Sequence, residues 1–176
     1  MNGQNSPTAG RPRSRPSGAG HPGRAYPTPV PATALLDGAL PRVDWSDAYA
    51  VPVPIDGPRH DPQEWADAIF SAPPPWVRVL FGVRQVLVRL VGIEPGGRDV
   101  FATVDWRPDE VLVGVDQQHL GFRASMLVEP GRVVLSTVVQ LRNRRGRAYS
   151  SLVRRIHPWV VRGMVTRAAR RLAVPA

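Results

Sequence analysis

Four valine-rich segments, each with apolar side chains at every second residue, constrain the fold of this chain more than any other feature. They lie at about residues 100–106, 110–116, 119–128 and 132–142. An apolar period of two is typical of β-strands, and links of only a few residues join antiparallel neighbours. In the last link, Pro130 followed by Gly131 suits a type II turn. We therefore predict an antiparallel meander of four strands.

Two shorter elements precede the meander. Residues 44–54 form an extended run, and Pro52 and Pro54 restrict it to an edge or terminal strand because proline cannot donate to a ladder. The sequence Asp-Pro-Gln-Glu at residues 61–64 combines an N-cap, a proline at the first helical position and a capping-box glutamate. We predict a helix that begins there and ends near residue 71.

The chain ends in a long predicted helix at residues 147–172, which carries one broad apolar face. Pro158 either kinks this helix or begins a second segment. An apolar stretch at residues 71–92 also has helical periodicity. We therefore predict an α+β fold in which a curved antiparallel sheet wraps around the long C-terminal helix, with two helices between the first strand and the meander.

The apolar stretch at residues 71–92 contains three arginines. On a helical projection Arg78 and Arg89 share one narrow polar stripe that can face water, whereas Arg84 lies outside it. Three charges are too many for a helix that crosses a bilayer, so we predict no membrane span here. We expect a largely buried helix, which forms a pocket wall if Arg84 points into a cavity.

The first 31 residues differ from the rest, because they hold seven Pro, five Gly and four Arg but no acidic residue. We predict a disordered tail at residues 1–31 and a single α+β domain at residues 32–176. The tail lacks the continuous apolar segment of a secretory signal. Cysteine is absent throughout, so we expect a cytoplasmic protein without disulfides.

All 23 basic residues are arginine, and they are unevenly distributed. Residues 130–176 hold eleven of them and no acidic residue, which creates a positive field that attracts anions. A complete replacement of lysine by arginine is also typical of a GC-rich coding bias. Apart from Tyr149, no aromatic residue is interleaved with the arginines at residues 142–155, so we expect no specific nucleic-acid partner.

Most catalytic and cofactor motifs are missing from the sequence. It contains no glycine-rich dinucleotide or phosphate loop and no nucleophile elbow, and without lysine it has no Schiff-base residue. The histidines and carboxylates lie at spacings that loops produce by chance. We therefore predict no cofactor and no metal.

Two segments place polar side chains on otherwise apolar elements. Strand alternation turns His119 and Arg123 to one face, which is either exposed to solvent or directed into a cavity. His157 lies on the apolar face of the last helix, either as a core histidine bonded to a partner such as Tyr149 or as a polar group in a pocket. We take as candidate ligand-binding residues His119, Arg123, His157, Arg84, Tyr149 and Trp106.

Several motifs, taken in order, resemble the bacterial domain of unknown function 2867 family. They cover roughly residues 40–170 and include the runs Asp-Trp-Ser-Asp-Ala-Tyr (44–49), His-Leu-Gly-Phe-Arg (119–123), Asn-Arg-Arg-Gly-Arg-Ala-Tyr (143–149) and Ile-His (156–157). The resemblance implies no established activity. Some relatives carry this domain behind a NAD(P)-binding reductase-like domain, which makes a separately encoded reductase domain a candidate partner.

The order of elements also resembles the helix-grip superfamily of polyketide cyclases and START-type lipid carriers, in which the sheet and a long C-terminal helix enclose an apolar cavity. One departure concerns Gly121, because family members tend to have aspartate there. If that carboxylate orients His119 or Arg123, this chain has lost it, and an acid/base role for His119 is weakened.

Three functions fit these observations. The favoured one is binding of a small apolar or amphipathic ligand, which can be anionic, between the sheet and the last helix. The alternative is an enzyme of cyclase or dehydratase type, with His119 or His157 as acid/base and Arg123 or Arg84 as oxyanion stabiliser. A second alternative is anion or nucleic-acid interaction through the arginine-rich C-terminal quarter. Binding is favoured over catalysis.

Overall fold

The structure, a computed structural model, describes residues 23–71, 73–79 and 101–173. The strands in these ranges are β1 (Tyr26–Thr28), β2 (Trp45–Pro52), β3 (Thr103–Arg107), β4 (Glu110–Asp116), β5 (Leu120–Glu129) and β6 (Arg132–Leu141). The helices that pack on them are α1 (Pro62–Phe70) and α2 (Arg144–Leu172). Residues 75–79 form a short helical turn.

The strands pair antiparallel in one sheet with the order β1-β2-β6-β5-β4-β3. The predicted meander is confirmed as β3 to β6, and the bounds of β4 are those predicted. Gly131, in the turn between β5 and β6, has a φ of 81°. This left-handed conformation is the one that a type II turn requires after proline.

The edge position predicted for β2 from its prolines is wrong. β2 lies between β1 and β6, although β1 covers only residues 48–50. Pro52 is the last residue of β2 and pairs with Arg132 at the end of the ladder. Val53 N donates to the Gly131 carbonyl at 3.0 Å, so the N–H groups of β2 that point to β6 belong to alternate residues that do not include Pro52. The missing N–H of Pro52 lies on the side of β1, whose pairing ends at Ala50, and a proline is therefore tolerated there.

β1 also corrects the predicted boundary of the N-terminal tail. Residues 26–28 pair with residues 48–50, and Ala25 is buried in the main core. Ordered structure therefore begins before residue 31, because the hydrogen bonds to β2 and the burial of Ala25 offset the unfavourable composition of this segment. The predicted tail up to residue 22 lies outside the described residues.

Helix α1 begins at the predicted capping box. The Asp61 carboxylate accepts a hydrogen bond from the backbone N–H of Glu64 at 2.8 Å, and the Glu64 carboxylate accepts from the N–H of Asp61 at 3.0 Å. The helix buries Trp65, Ala66 and Ile69 against β4, β5 and α2. Its position covers the half of the sheet that α2 does not reach.

Helix α2 is continuous through Pro158 and packs across β2 and β6. It begins at Arg144, three residues before the predicted start, because the Asn143 side chain caps it by accepting from Gly146 N at 2.8 Å. Its buried apolar stripe consists of Val160, Val161, Met164, Val165, Ala168 and Ala169. The long C-terminal helix is therefore confirmed as one segment.

Different elements pack on the two faces of the sheet. The inner face, which contacts α1 and α2, contributes Val111, Val113, Ala124, Met126 and Leu135 to the main core. On the outer face, a smaller cluster packs against Val30: Ala48, Ala50, Leu127 and Val134. The segment at residues 30–40 crosses this outer face and buries Leu35 and Leu40.

The structure confirms an α+β fold with a curved antiparallel sheet and a long C-terminal helix. The helix predicted in the apolar stretch lies outside the described residues beyond residue 79, and so do Arg84 and Arg89. Arg78 is exposed, as its place in the polar stripe predicts. No helix in the described ranges is long and apolar enough to cross a bilayer.

Candidate ligand-binding groove

An open groove of about 930 Å³ runs along the side of α2 that faces away from the sheet. Its walls come from residues 24–25 before β1, residues 74–76 before and within the short helical turn, and residues 159–171 of α2. Because Val161, Val165 and the rest of the apolar stripe turn toward the sheet, the residues between them on α2 turn outward. The groove is thus formed by the polar side of the last helix.

Among the described residues that line this groove there is no carboxylate, and five are arginines: Arg24, Arg162, Arg167, Arg170 and Arg171. None of the ion pairs formed within residues 23–71, 73–79 and 101–173 involves any of these five. Elsewhere in the same ranges, four arginines pair with carboxylates: Arg42, Arg123, Arg132 and Arg142. The groove therefore concentrates positive charge that the described chain does not neutralise, which favours binding of an anion.

Two tryptophans add flat apolar surface to the same groove. Trp76 is 48% exposed and Trp159 is 67% exposed. Trp76 lies against α2 at Gly163, where an added Cβ would come within 2.8 Å of the indole Cζ2. The missing side chain at Gly163 therefore makes room for the Trp76 indole. Exposed indoles beside unpaired guanidinium groups offer both stacking and charge to a ligand.

Two hydrogen bonds attach the N-terminal wall of the groove to α2. The backbone N–H of Ala25 donates to Thr166 Oγ1 at 3.0 Å, and Arg162 Nε donates to the Ala25 carbonyl at 3.0 Å. Ala25 itself is buried. These contacts hold Arg24 beside the helix, so that an arginine from the start of the described chain joins those of α2.

On the opposite side of α2, His157 meets Asp47 of β2. His157 Nε2 and Asp47 Oδ1 lie 3.3 Å apart, and both atoms are buried and form no hydrogen bond with any residue that the structure describes. The Trp45 ring packs edge-on against His157 at 5.3 Å, and Trp45 Nε1 donates to Ser150 Oγ at 2.8 Å. Burial, and then the nearby Asp47 carboxylate, raise the pKa of the Tyr49 hydroxyl. His157 is thus packed between helix and sheet beside a carboxylate.

On the outer face of the sheet, Asp116 holds two arginines. Its Oδ2 accepts from Arg123 Nη2 at 2.6 Å, and its Oδ1 accepts from Arg142 Nη2 at 2.5 Å. The hydrogen bond from Arg123 is the main reason that the pKa of the Asp116 carboxyl is lowered. Gly114 leaves space for this arrangement, because an added Cβ there would lie 2.8 Å from Arg123 Cδ.

Gly121 lies beside the same carboxylate. An added Cβ at Gly121 would be 3.2 Å from Asp116 Oδ1 and 3.4 Å from Arg142 Nη2. An aspartate at this position would therefore crowd the Asp116 carboxylate. In this chain Asp116 itself supplies the negative charge that orients Arg123.

The structure does not bring Arg123 and His157 together. Arg123 alternates along β5 with Ala124, which belongs to the inner core, so Arg123 lies on the outer face of the sheet. His157 lies on α2, which packs on the inner face, beside Asp47. An acid/base centre that combines these two residues is therefore not formed, because the sheet separates them.

The other predicted site residues are dispersed as well. His119 is buried in the turn before β5, and its carbonyl accepts from Arg142 N at 3.0 Å. Trp106 lies on β3 and is 56% exposed. Arg84 and the side chain of Tyr149 lie outside what the structure describes. None of the described members of the predicted set, which are Trp106, His119, Arg123 and His157, lines the groove on α2.

The two tryptophans of the groove, Trp76 and Trp159, are not among the ligand-binding residues predicted from the sequence. A search for aromatic residues among the arginines at 142–155 passes over Trp159, which lies three residues before Arg162 and thus on a neighbouring position of the same helix face. The three-residue spacing between Trp159 and Arg162 is the sequence signal that could have identified this tryptophan. Trp76 comes from a segment more than eighty residues away, so only the tertiary structure places it over Gly163.

The described residues show no ready-made metal site. Within residues 23–71, 73–79 and 101–173, no three His, Asp or Glu side chains are grouped closely enough to hold an ion. His60 contacts Glu64 and the carbonyl of Leu172. The polar side chains of the groove are instead suited to an anion.

These observations define an α+β domain whose six-stranded antiparallel sheet packs on a long C-terminal helix, with a basic groove on the far side of that helix. The chain belongs to the family described as protein of unknown function (DUF2867), whose profile matches residues 39–164. Comparisons with curated proteins and with solved structures gave no match. The matched range includes Trp76, Trp159 and Gly163 of the groove.

Proposed function

We propose that this chain is a binding domain for a small anionic ligand with a flat aromatic part, and that the groove on α2 is its site. The observation that carries the proposal is that one groove of about 930 Å³ is lined by two exposed indoles and by five arginines that form no ion pair with any residue that the structure describes. A volume of this size is suited to a small molecule.

The chemistry of the two residue types defines what such a ligand must offer. Guanidinium groups bind carboxylate, sulfonate or phosphate oxygens through paired, charge-assisted hydrogen bonds. Indoles provide rigid apolar faces on which an aromatic ring can stack. Because the described lining of the groove contains arginines and no carboxylate, a cationic ligand would meet like charge from these residues.

The lack of an ion pair does not by itself distinguish the groove. Among the described residues, Arg59, Arg78, Arg107, Arg144 and Arg155 lie outside the groove and form no ion pair either. What distinguishes the groove is that five arginines and two exposed indoles line one concave surface. This combination supports an anionic ligand that also has a flat apolar part.

The sequence predicts a ligand between the sheet and the last helix, whereas the groove lies on the opposite side of that helix. We propose, on the order of elements, that the domain is of the helix-grip type. The family resemblance adds a separately encoded NAD(P)-binding reductase domain as a candidate partner.

The described inner face of the sheet is filled by core side chains such as Val113, Met126 and Val165. The proposed ligand therefore binds on the outward side of α2 and not between α2 and the sheet.

Isothermal titration of the full chain with three matched probes tests the proposal. The probes are 1-naphthyl phosphate, 1-naphthol and inorganic phosphate. We expect 1-naphthyl phosphate to bind at least about tenfold more tightly than either fragment, because only it engages the indoles and the arginines together. Equal affinity of the ring alone, or no binding of 1-naphthyl phosphate, would contradict the proposal.

A further inference from the structure

We infer that the ligand of this groove is a nucleotide unit, with its base stacked on the Trp76 and Trp159 surface and its terminal phosphate on the arginines of the last two turns of α2. This inference rests on the proposed function, because it names the ligand class of the same site. The first step concerns distance along α2. The Trp76 indole contacts α2 at Gly163. A cluster of three arginines, Arg167, Arg170 and Arg171, begins four residues further along the helix.

The spacing of indole and arginines matches a base joined to its phosphates. Arg167, Arg170 and Arg171 lie four to eight residues beyond Gly163. At 1.5 Å per helical residue they are displaced by about 6 to 12 Å along the axis. A nucleoside diphosphate separates base and terminal phosphate by a ribose and one further phosphate, which spans a gap of this order.

The number of arginines favours a phosphate over a single carboxylate. Arg170 and Arg171 follow Arg167 by three and four residues, so each lies next to Arg167 on the surface of the helix. A terminal phosphate offers three oxygens and close to two negative charges, enough for more than one guanidinium group. A carboxylate offers two oxygens and one charge.

The site would hold phosphate in a different way from the usual nucleotide folds. The sequence has no glycine-rich phosphate loop and no lysine, so neither a backbone cradle of that kind nor a phosphate-loop lysine is available. In the groove, arginine guanidinium groups would both donate the hydrogen bonds to the phosphate and supply the positive charge. Since stacking on an indole and contact with phosphate are both tolerant of base identity, we expect weak discrimination between bases.

Base and phosphate together can come from a free nucleotide or from one unit of single-stranded nucleic acid, and the test separates these sources. Titration of the full chain uses ADP, adenosine, pyrophosphate and a short oligothymidylate. We expect ADP to bind about tenfold more tightly than adenosine or pyrophosphate. If the oligothymidylate binds still more tightly, with a strong salt dependence, the base and phosphate chemistry holds and its source is nucleic acid.

Variants locate the binding. Trp159→Leu and the double variant Arg167→Gln/Arg170→Gln should each lower ADP affinity about tenfold. The controls Trp106→Leu and Arg155→Gln alter an exposed tryptophan and an exposed arginine outside the groove and should leave affinity unchanged. Because Trp159 is 67% exposed, its replacement should not unfold the chain.

The outcomes that overturn this inference differ from those that overturn the proposed function. If 1-naphthyl phosphate binds in the groove but ADP and the oligothymidylate do not, the nucleotide assignment fails and the anionic aromatic site stands. If ADP binds equally well to the wild type and to both groove variants, the assignment also fails. If no anionic probe binds, both fail.

Discussion

The indole of Trp76 lies against the backbone of α2 at Gly163, where any side chain would come within 2.8 Å of Cζ2. Residue 76 and residue 163 are thus fitted to one another, although 87 positions separate them in the chain. The contact forms the floor of the groove and holds one of its two exposed indoles.

Replacement of Gly163 by alanine is expected to displace Trp76 without unfolding the chain. Alanine is favoured over glycine within a helix by roughly 0.5 to 1 kcal/mol, and the clashing atom is at the far end of a side chain that can move. We expect unchanged or raised thermal stability with about three- to tenfold weaker binding of 1-naphthyl phosphate. Titration and a thermal melt measure the two effects.

The matched control for this prediction is the same substitution in a Trp76→Leu background. There the clash is absent, so Gly163→Ala should have no further effect on binding. Unchanged affinity in the single variant would show that the indole position does not matter to the site.

Gly146→Ala should behave in the opposite way and destabilise the fold. An added Cβ would approach the carbonyl oxygen of His119, a backbone atom that is held by the N–H of Arg142 at 3.0 Å. Relief of this clash requires the start of α2 to move away from β5, at a cost of about 1 to 3 kcal/mol. Urea denaturation measures the loss, and Arg144→Ala, in the same helical turn but exposed, is the control. Equal stability of the two variants would argue against the close approach.

The Asp116 carboxylate gives stability a defined dependence on pH. Its pKa is lowered in the folded state, chiefly by the hydrogen bond from Arg123, from an ordinary value of 3.8. A lowered pKa means that the stabilisation is complete above pH 3.8 and is lost as the pH falls through the folded pKa. Because Asp116 is about half exposed, the contribution of the pair should stay below about 1 kcal/mol.

Asp116→Asn should remove part of that acid-dependent loss and lower stability at neutral pH by up to about 1 kcal/mol, because Arg123 loses its charged partner but still donates to the Phe122 carbonyl. Denaturation curves above and below the ordinary pKa measure both effects. Asp56→Asn, at an exposed position without an ion pair in the described chain, serves as control. An acid dependence identical in all three proteins would contradict this account of Asp116.

Asp47 and His157 should be energetically coupled. Their side chains are 3.3 Å apart between β2 and α2, with both facing atoms buried. A double-mutant cycle with Asp47→Asn and His157→Gln is expected to give a coupling energy of about 0.5 kcal/mol or more. The cycle that pairs His157→Gln with Asp56→Asn should give none. Additive effects in the first cycle would show that the contact contributes no pairwise stability.

Local patterns predicted the scaffold well, because period and turn chemistry are encoded over short windows. The capping box at Asp61 and the Pro130-Gly131 turn both act within four residues, and both are present in the structure. β1 was missed because Tyr26–Thr28 is only three residues long and has no apolar period; its pairing with β2 is a tertiary effect.

The site was harder to predict than the scaffold, because it depends on which face each element turns to its neighbours. Strand alternation correctly placed Ala124 opposite Arg123, yet the sequence alone did not show that α2 lies on the Ala124 side. His157 and Arg123 were therefore grouped although the sheet separates them. Trp76 reaches the groove only through the fold.

The most direct test of the central claim is the affinity of 1-naphthyl phosphate for two double variants with the same charge change. Arg167→Gln/Arg170→Gln removes two groove arginines, whereas Arg144→Gln/Arg155→Gln removes two exposed arginines of α2 outside the groove. The account predicts that the first variant binds 1-naphthyl phosphate at least about tenfold more weakly than the wild type, and that the second binds it with nearly wild-type affinity. Equal loss in both would show that net charge alone attracts the anion, and would contradict a groove-specific site.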